Sequence, residues 1–325
     1  MSKLTIAKAI TAGLTRAMEN DPKVMLMGED IGSLGGVYRV TEGLKARFGA
    51  HRVLDSPLGE AGIVGTAVGL AQRGYRPVCE IQFDGFTFPA FNQITTQVAK
   101  IHARSEGKLK LPMTIRIPYG GVIGSVEHHS ESPEALYAHT AGLRIITPSN
   151  AHDAYWMEQQ AIASDDPVII FEPKRRYWLK GEVDLENPST ADPFSAQVLR
   201  EGSELSLVAW GPLVPVAMAA AEAAAQEGRS VEVIDLRSLS PIDFATLEAS
   251  VQRTGRMVVA HEAPVFSGLG AEIAARITER SFYSLEAPVI RVGGYHMPYP
   301  PAGVEADYVP DLDRVLDGMD RAFAY

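Results

Sequence analysis

The feature that most constrains this chain is a rhythm that runs, stops and restarts. Short apolar, β-rich runs at 24–27, 77–83, 113–117, 143–147 and 168–172 are separated by segments of helical character at 61–71, 91–100 and 151–163. Parallel strands need crossover connections of about a dozen residues or more, usually helical, so this alternation predicts a parallel sheet covered on both faces. From about 180 to 195 the pattern lapses into KGEVDLENPSTADPFS, a polar stretch with two prolines. Such a stretch reads as a linker. The rhythm then resumes, with strands expected at 205–210, 231–236 and 256–261 and helices at 214–226 and 243–253; the first of these helices is Ala-rich and closed by Gly228. The expected fold class is α/β, with two parallel-sheet α/β domains at 1–185 and 199–325 joined by a linker at 186–198. A length of 325 residues suits two domains.

Several function classes are excluded early. Cys79 is the single cysteine, which rules out an intramolecular disulfide and a multi-cysteine zinc site. A net charge of -10 argues against nonspecific nucleic-acid binding. The N-terminal residues Leu4, Ile6, Ala9, Ile10 and Leu14 fit an amphipathic helix rather than a signal peptide. No apolar run reaches membrane-spanning length, so the expectation is a cytoplasmic protein with no membrane partner. No Walker loop, strand-linked G-x-G-x-x-G, HExxH or G-x-S-x-G is present.

Three segments could carry chemistry. Gly28-Glu29-Asp30-Ile31-Gly32-Ser33-Leu34-Gly35-Gly36 is equally well read as a strand-to-loop turn. In Asp55-Ser56-Pro57-Leu58-Gly59-Glu60, Pro57 and Gly59 prepare a turn and Glu60 opens a helix. Taken alone, Glu60 reads more readily as a carboxylate favoured by the helix dipole than as a reactive group. The helix behind it carries Gly62, Gly65 and Gly69 on one face. Each glycine costs about 1 kcal/mol relative to alanine there, so the stripe implies close approach of another backbone. Glu60 would then lie near an interface, where desolvation raises a carboxylate pKa. The third segment is His128-His129-Ser130-Glu131-Ser132-Pro133, after the loop Gly120-Gly121-Val122-Ile123-Gly124. Adjacent histidines seldom point the same way, so a two-histidine metal site is a poor reading. Alone, the pair reads more readily as polarity before a helix, although one histidine could act as an acid or a transition-state donor. His139, His152 and His261 are expected to be structural or at the surface.

Taken together, these segments resemble the β subunit of heterotetrameric 2-oxo acid dehydrogenases over nearly the whole chain. Further matches are Glu80-Ile81-Gln82-Phe83, Phe88-Pro89-Ala90-Phe91, Val233-Ile234-Asp235-Leu236-Arg237, His261-Glu262-Ala263-Pro264 and Glu286-Ala287-Pro288. The resemblance implies a transketolase-like pyrimidine-binding domain followed by a C-terminal transketolase domain used mainly for assembly. It implies thiamine diphosphate as cofactor, with Glu60 bonded to the aminopyrimidine ring nitrogen. Glu29 resembles an acidic neighbour that relays protons, Leu58 a wall of the pyrimidine pocket, and Phe86 the aromatic residue against the ring. Many relatives have tyrosine at the Phe86 position. His129 matches the histidine that assists acyl transfer to lipoyl, and that role is not extended to His128. Some relatives hold a structural potassium ion near Thr114 and 161–166; the side chains differ here, and no metal ligand is assigned.

The family's diphosphate and magnesium motif, Gly-Asp-Gly followed later by Asn, is missing; the nearest string is Phe83-Asp84-Gly85. The resemblance therefore implies an α subunit that supplies the Mg2+ and diphosphate half, an α2β2 heterotetramer, and a lipoyl acyltransferase core as further partner. Phe88-Pro89-Ala90-Phe91, Phe171-Glu172-Pro173-Lys174 and His261-Glu262-Ala263-Pro264 look more like the branched-chain enzymes, with pyruvate or acetoin as runner-up substrate. A noncatalytic assembly subunit and half of a sugar-transferring transketolase are the rival readings.

Overall fold

The computed structural model describes residues 1–187 and 189–325; Pro188, within the expected linker, lies outside the described residues. The chain forms two compact units, one of residues 1–119 and 136–193, the other of residues 120–135 and 194–325. Residues 120–135, read from sequence as part of the first 185, thus group with the second unit.

The first unit begins with β1 (Ser2–Thr5) and α1 (Ile6–Asn20). The helix starts where it does because the Thr5 hydroxyl accepts the Lys8 N–H at 3.2 Å. Leu4, expected in the helix, lies instead in β1, which pairs antiparallel with β8 (Lys180–Val183). The core strands are β2 (Val24–Gly28), β3 (Val53–Asp55), β4 (Arg76–Glu80), β5 (Thr114–Tyr119), β6 (Arg144–Ile146) and β7 (Val168–Pro173). Within this unit they run β6-β7-β5-β4-β2-β3, every pair parallel. Both β5 and β7 are buried at every position, as a sheet covered on both faces requires. The connecting helices are α2 (Leu44–Phe48), α3 (Glu60–Gln72), α4 (Ile101–Arg104), α5 (Glu134–Ala138) and α6 (Ala151–Ala163). α1 packs on α6, where a Cβ at Gly13 would lie 2.8 Å from the Tyr155 carbonyl oxygen. The helix expected at 91–100 is not regular. Its centre is a π-helix, Gln93–Val98, preceded by a 3-10 helix Asp84–Ala90 that contains Pro89 and followed by the single turn of α4. Proline supplies no N–H to an α-helical ladder, and π turns of this kind are common at functional sites.

The second unit holds β9 (Gln197–Arg200), β10 (Leu205–Ala209), β11 (Val231–Asp235), β12 (Ser238–Ser240), β13 (Met257–Pro264) and β14 (Ile290–Gly294), with helices α7 (Val214–Gln226), α8 (Phe244–Thr254), α9 (Leu269–Ser281), α10 (Glu305–Tyr308) and α11 (Leu312–Phe323). Five strands form one sheet, β14-β13-β10-β11-β9, antiparallel only where β9 meets β11. Ala217, Ala220, Ala221 and Ala224 of α7 join Leu205, Leu207 and Val233 in the core, along with Val315, Met319 and Ala322 of α11. Alanine removes side-chain bulk from the face of α7, so the helix lies close to the strands. Among the described residues no helix is long and apolar enough to cross a membrane.

Candidate active site

Two carboxylates meet at the carboxyl ends of the parallel strands β2 and β3. Gly28, the last residue of β2, is flanked in register by Asp55 of β3 and Glu80 of β4. The chain then leaves the sheet and Glu29 follows at once, buried. On the neighbouring strand, Ser56 N–H donates to the Gly28 carbonyl at 2.8 Å, which turns Pro57-Leu58-Gly59 across the strand end and delivers Glu60 as the first residue of α3. Loops at the carboxyl ends of parallel strands are where open α/β sheets bind ligands.

Glu29 and Glu60 are linked through the backbone between them. Glu29 Oε1 accepts the N–H of Gly59 at 3.1 Å. Burial raises the Glu29 pKa; the Gly59 N–H opposes that shift, while the Glu60 carboxylate adds to it. The second oxygen, Glu29 Oε2, is buried and has no hydrogen-bond partner among the described residues. A buried acceptor in this state calls for a ligand, a water or a proton. Glu60 itself is 7% exposed.

A third carboxylate supports the first two. Asp55 accepts from Gly32 N–H at 2.6 Å, Ser33 N–H at 3.1 Å and Lys45 Nζ at 2.7 Å. Burial alone would raise its pKa, but these donors hold it down at about 2. Gly32 has to be small, since a Cβ there would sit 2.7 Å from Asp55 Oδ2. The loop that carries Glu29 is thus tied to the strand that delivers Glu60.

The other expected residues fall as follows. Leu58 projects from the turn, 85% exposed. Phe86 lies half-buried in the 3-10 helix, which packs against α3, and its ring meets Phe83 edge-on at 5.8 Å. That helix is anchored by a fully buried ion pair between Asp84 and Lys174. The face of Gly62, Gly65 and Gly69 is open: a Cβ on any of them would meet no atom within 4 Å, so among the described residues no backbone of this chain makes the expected close approach.

His129 belongs to the other unit. It is half-buried in the turn Glu127–His129, with its ring 4.3 Å from that of His128, which is exposed. Gly120 N–H donates to the Glu131 carbonyl at 2.9 Å and closes the base of this loop. His261 is structural: fully buried, stacked on Trp210 at 5.0 Å, bonded through Nδ1 to the Ala263 carbonyl, and pushed down to about 4 by burial.

The sequence reading missed a buried charge network in the first unit. Arg116 on β5 binds Glu172 of β7 through two bonds, at 2.7 and 3.0 Å, and Glu80 of β4 at 2.7 Å; Glu158 of α6 stands 3.5 Å away. The available signal was a charge at the middle of otherwise apolar runs. Among the described residues no group of three or more His, Cys, Asp or Glu side chains is arranged to hold a metal ion.

Comparison with known proteins adds names to these shapes. Residues 2–178 match the transketolase pyrimidine-binding domain, and residues 195–315 the transketolase C-terminal domain. A pyruvate dehydrogenase E1 component subunit beta from Leifsonia xyli subsp. xyli (strain CTCB07) is 61% identical, the match covering 100% of this chain and 96% of that protein. A 3-methyl-2-oxobutanoate dehydrogenase subunit beta from Mycobacterium tuberculosis (strain ATCC 25618 / H37Rv) is 51% identical over 98% of this chain and 91% of that one. Among solved structures, a split gene transketolase, an inactive beta4 tetramer, superposes with a TM-score of 0.81 over 99% of both chains at 23% identity, which is a likeness of fold.

Proposed function

Because this chain belongs to the family of β subunits of 2-oxo acid dehydrogenase first components, built from transketolase pyrimidine-binding and C-terminal domains, we propose that it is the pyrimidine-binding half of a thiamine-diphosphate enzyme. That enzyme oxidatively decarboxylates a 2-oxo acid and passes the acyl group to a lipoyl domain. The observation that carries the reading is the pair Glu29 and Glu60 at the strand ends, with Glu29 Oε2 buried and unsatisfied. Those residues fit an aminopyrimidine. Glu60 would hold its ring nitrogen and Glu29 would exchange protons beside it, with Leu58 and Phe86 as walls. Thiamine diphosphate, when bound, supplies the nucleophilic carbon and the electron sink that decarboxylation needs.

Diphosphate and Mg2+ are assigned to an α subunit in an α2β2 assembly, since the Gly-Asp-Gly motif is missing here. The open glycine face of α3 supports such a partner, because it leaves room for a second backbone. The branched-chain expectation stands beside an equally supported pyruvate reading, so both substrates enter the test. Purified alone, the chain is expected to bind thiamine diphosphate weakly and turn nothing over. Coexpressed with its α subunit, it should bind tightly with Mg2+ and decarboxylate pyruvate or 3-methyl-2-oxobutanoate in a panel of 2-oxo acids. Tight Mg2+-dependent binding by the isolated chain in calorimetry, or a sugar phosphate as the only substrate, would overturn the proposal.

His129 is proposed to assist acyl transfer. In the assembled enzyme, His129→Ala should lower lipoyl-domain acylation by about tenfold or more, a range typical of lost acid–base assistance. Turnover read by an artificial electron acceptor should change much less, and His128→Ala should change neither. Wild-type acylation in His129→Ala would assign the residue to structure alone.

A further inference from the structure

The loop that carries His129 begins with a turn that side chains of its own unit hold in place. Glu305, the first residue of α10, accepts Val122 N–H on Oε2 at 3.1 Å and Gly124 N–H on Oε1 at 2.8 Å. Tyr299 accepts a share of the Val122 N–H at 2.9 Å and donates its hydroxyl to Glu305 Oε2 at 2.9 Å. Gly121 N–H donates to Glu262 Oε1. One carboxylate thus takes two amides, two residues apart, on its two oxygens, which fixes both the position and the twist of the backbone. Glu305 is 6% exposed, and hydrogen bonds to a charged acceptor shielded from water are strong.

The turn needs this support. Val122 is held at φ 60°, a conformation that a β-branched residue seldom adopts. Gly120 and Gly124 also have positive φ, 89° and 73°. Gly121 is pressed so closely that a Cβ would lie 1.9 Å from the Tyr299 hydroxyl. At the far end of the loop, Trp210 Nε1 donates to Glu134 at 3.2 Å. His129 therefore hangs between two fixed ends, and its leading limb is set by Glu305.

We propose that Glu305 is a positioning residue for acyl transfer: with Tyr299 it locks the strained 120–124 turn and so sets where the His129 imidazole is presented. This rests on the reading of His129 given above. Glu305→Gln keeps the shape but turns an NH2 group toward a backbone N–H, which breaks one arm of the clamp. Tyr299→Phe removes only the bridging hydroxyl.

The test uses the assembled α2β2 enzyme with four variants: Glu305→Gln, Tyr299→Phe, His129→Ala, and Glu305→Gln combined with His129→Ala. Amide hydrogen exchange over 120–135, acylation of a lipoyl domain and acceptor-linked turnover are measured in each. Glu305→Gln should speed exchange at Val122 and Gly124 and slow acylation about tenfold, the scale of a sub-ångström misplacement, with acceptor-linked turnover within about twofold. Tyr299→Phe should slow acylation about threefold by the same route, and it carries the test if Glu305→Gln fails to assemble. The double variant should be no slower than His129→Ala alone. Wild-type acylation in Glu305→Gln with His129→Ala impaired would overturn the positioning role and leave the histidine reading standing. Losses that multiply in the double variant would also overturn it, since Glu305 would then act outside His129. Wild-type acylation in His129→Ala would remove both readings.

Discussion

Replacing Glu60 with glutamine is expected to slow exchange of the thiamine C2 proton about a hundredfold while the chain still folds and still joins its α subunit. The substitution keeps the size of the side chain and one acceptor oxygen, but it removes the charge. A neutral amide cannot stabilise a proton on the facing ring nitrogen as a carboxylate can. Losing a charge-assisted hydrogen bond costs about 3 kcal/mol, which converts to roughly a hundredfold in rate. Folding should survive because Glu60 sits at the first position of α3, where the dipole contribution it forfeits is about 0.3–1 kcal/mol. Hydrogen–deuterium exchange at C2 in the assembled enzyme is the direct readout, with thermal unfolding of the isolated chain as the control for fold. Near-wild-type exchange would pass the activating role to Glu29, whose buried Oε2 has no other partner among the described residues.

How far such a site is legible in the sequence depends on the distance between its parts. Glu60 could be found locally, because Pro57, Gly59 and the helical run after it mark a strand–turn–helix junction. Glu29 could be found only as a polar residue in a glycine-rich turn; its bond to Gly59 spans 30 residues and follows from β2 lying beside β3. The Asp55 tether spans 23 residues and was invisible for the same reason. Most buried parallel strands announced themselves as apolar runs, some interrupted by one charge such as Arg116 or Glu172, whereas the three-residue β3 and the short, partly exposed β1, β8 and β9 gave no comparable signal. The 91–100 region read as helical, but such a reading does not distinguish an α-helix from the π-helix found at Gln93–Val98. The glycine stripe was legible as a face, and the structure leaves that face uncovered. His129 was found by its motif, while its support by Glu305 lies 181 residues along the chain from Gly124.

The second large effect is expected at Arg116, where no chemistry is assigned. Arg116 is 1% exposed and serves Glu80, Glu172 and Glu158, each also buried. Three carboxylates around one guanidinium leave an excess of negative charge in the sheet. Part of it is relieved by a proton: burial pushes Glu158 up from 4.5 to about 8, with Arg116 opposing the shift and Glu172 and Glu80 adding to it. Arg116→Met would strand the carboxylates without a cation, at a cost of about 3–5 kcal/mol. At about 2–4 °C per kcal/mol, Tm should fall by roughly 10 °C.

The companion variant Glu158→Gln separates charge from packing. The folded pKa of Glu158 lies above its unfolded value, so the stability contributed by its proton is complete below 4.5, declines as pH rises and is gone above about 8. The decline is at most about 1.4 kcal/mol per pH unit. Glu158→Gln mimics the protonated acid, so its Tm should approach that of wild type at low pH, exceed it increasingly as pH rises, and flatten the slope between those limits. The network also bears on the site, because Glu80 lies under the Glu29 loop: a Cβ at Gly36 would stand 3.2 Å from Glu80 Oε1. Loosening Arg116 should therefore loosen the loop that holds Glu29. Thermal unfolding from pH 5 to 9 tests both variants. If Arg116→Met melts with wild type, or if Glu158→Gln keeps the wild-type pH slope, the sheet does not depend on this network as argued.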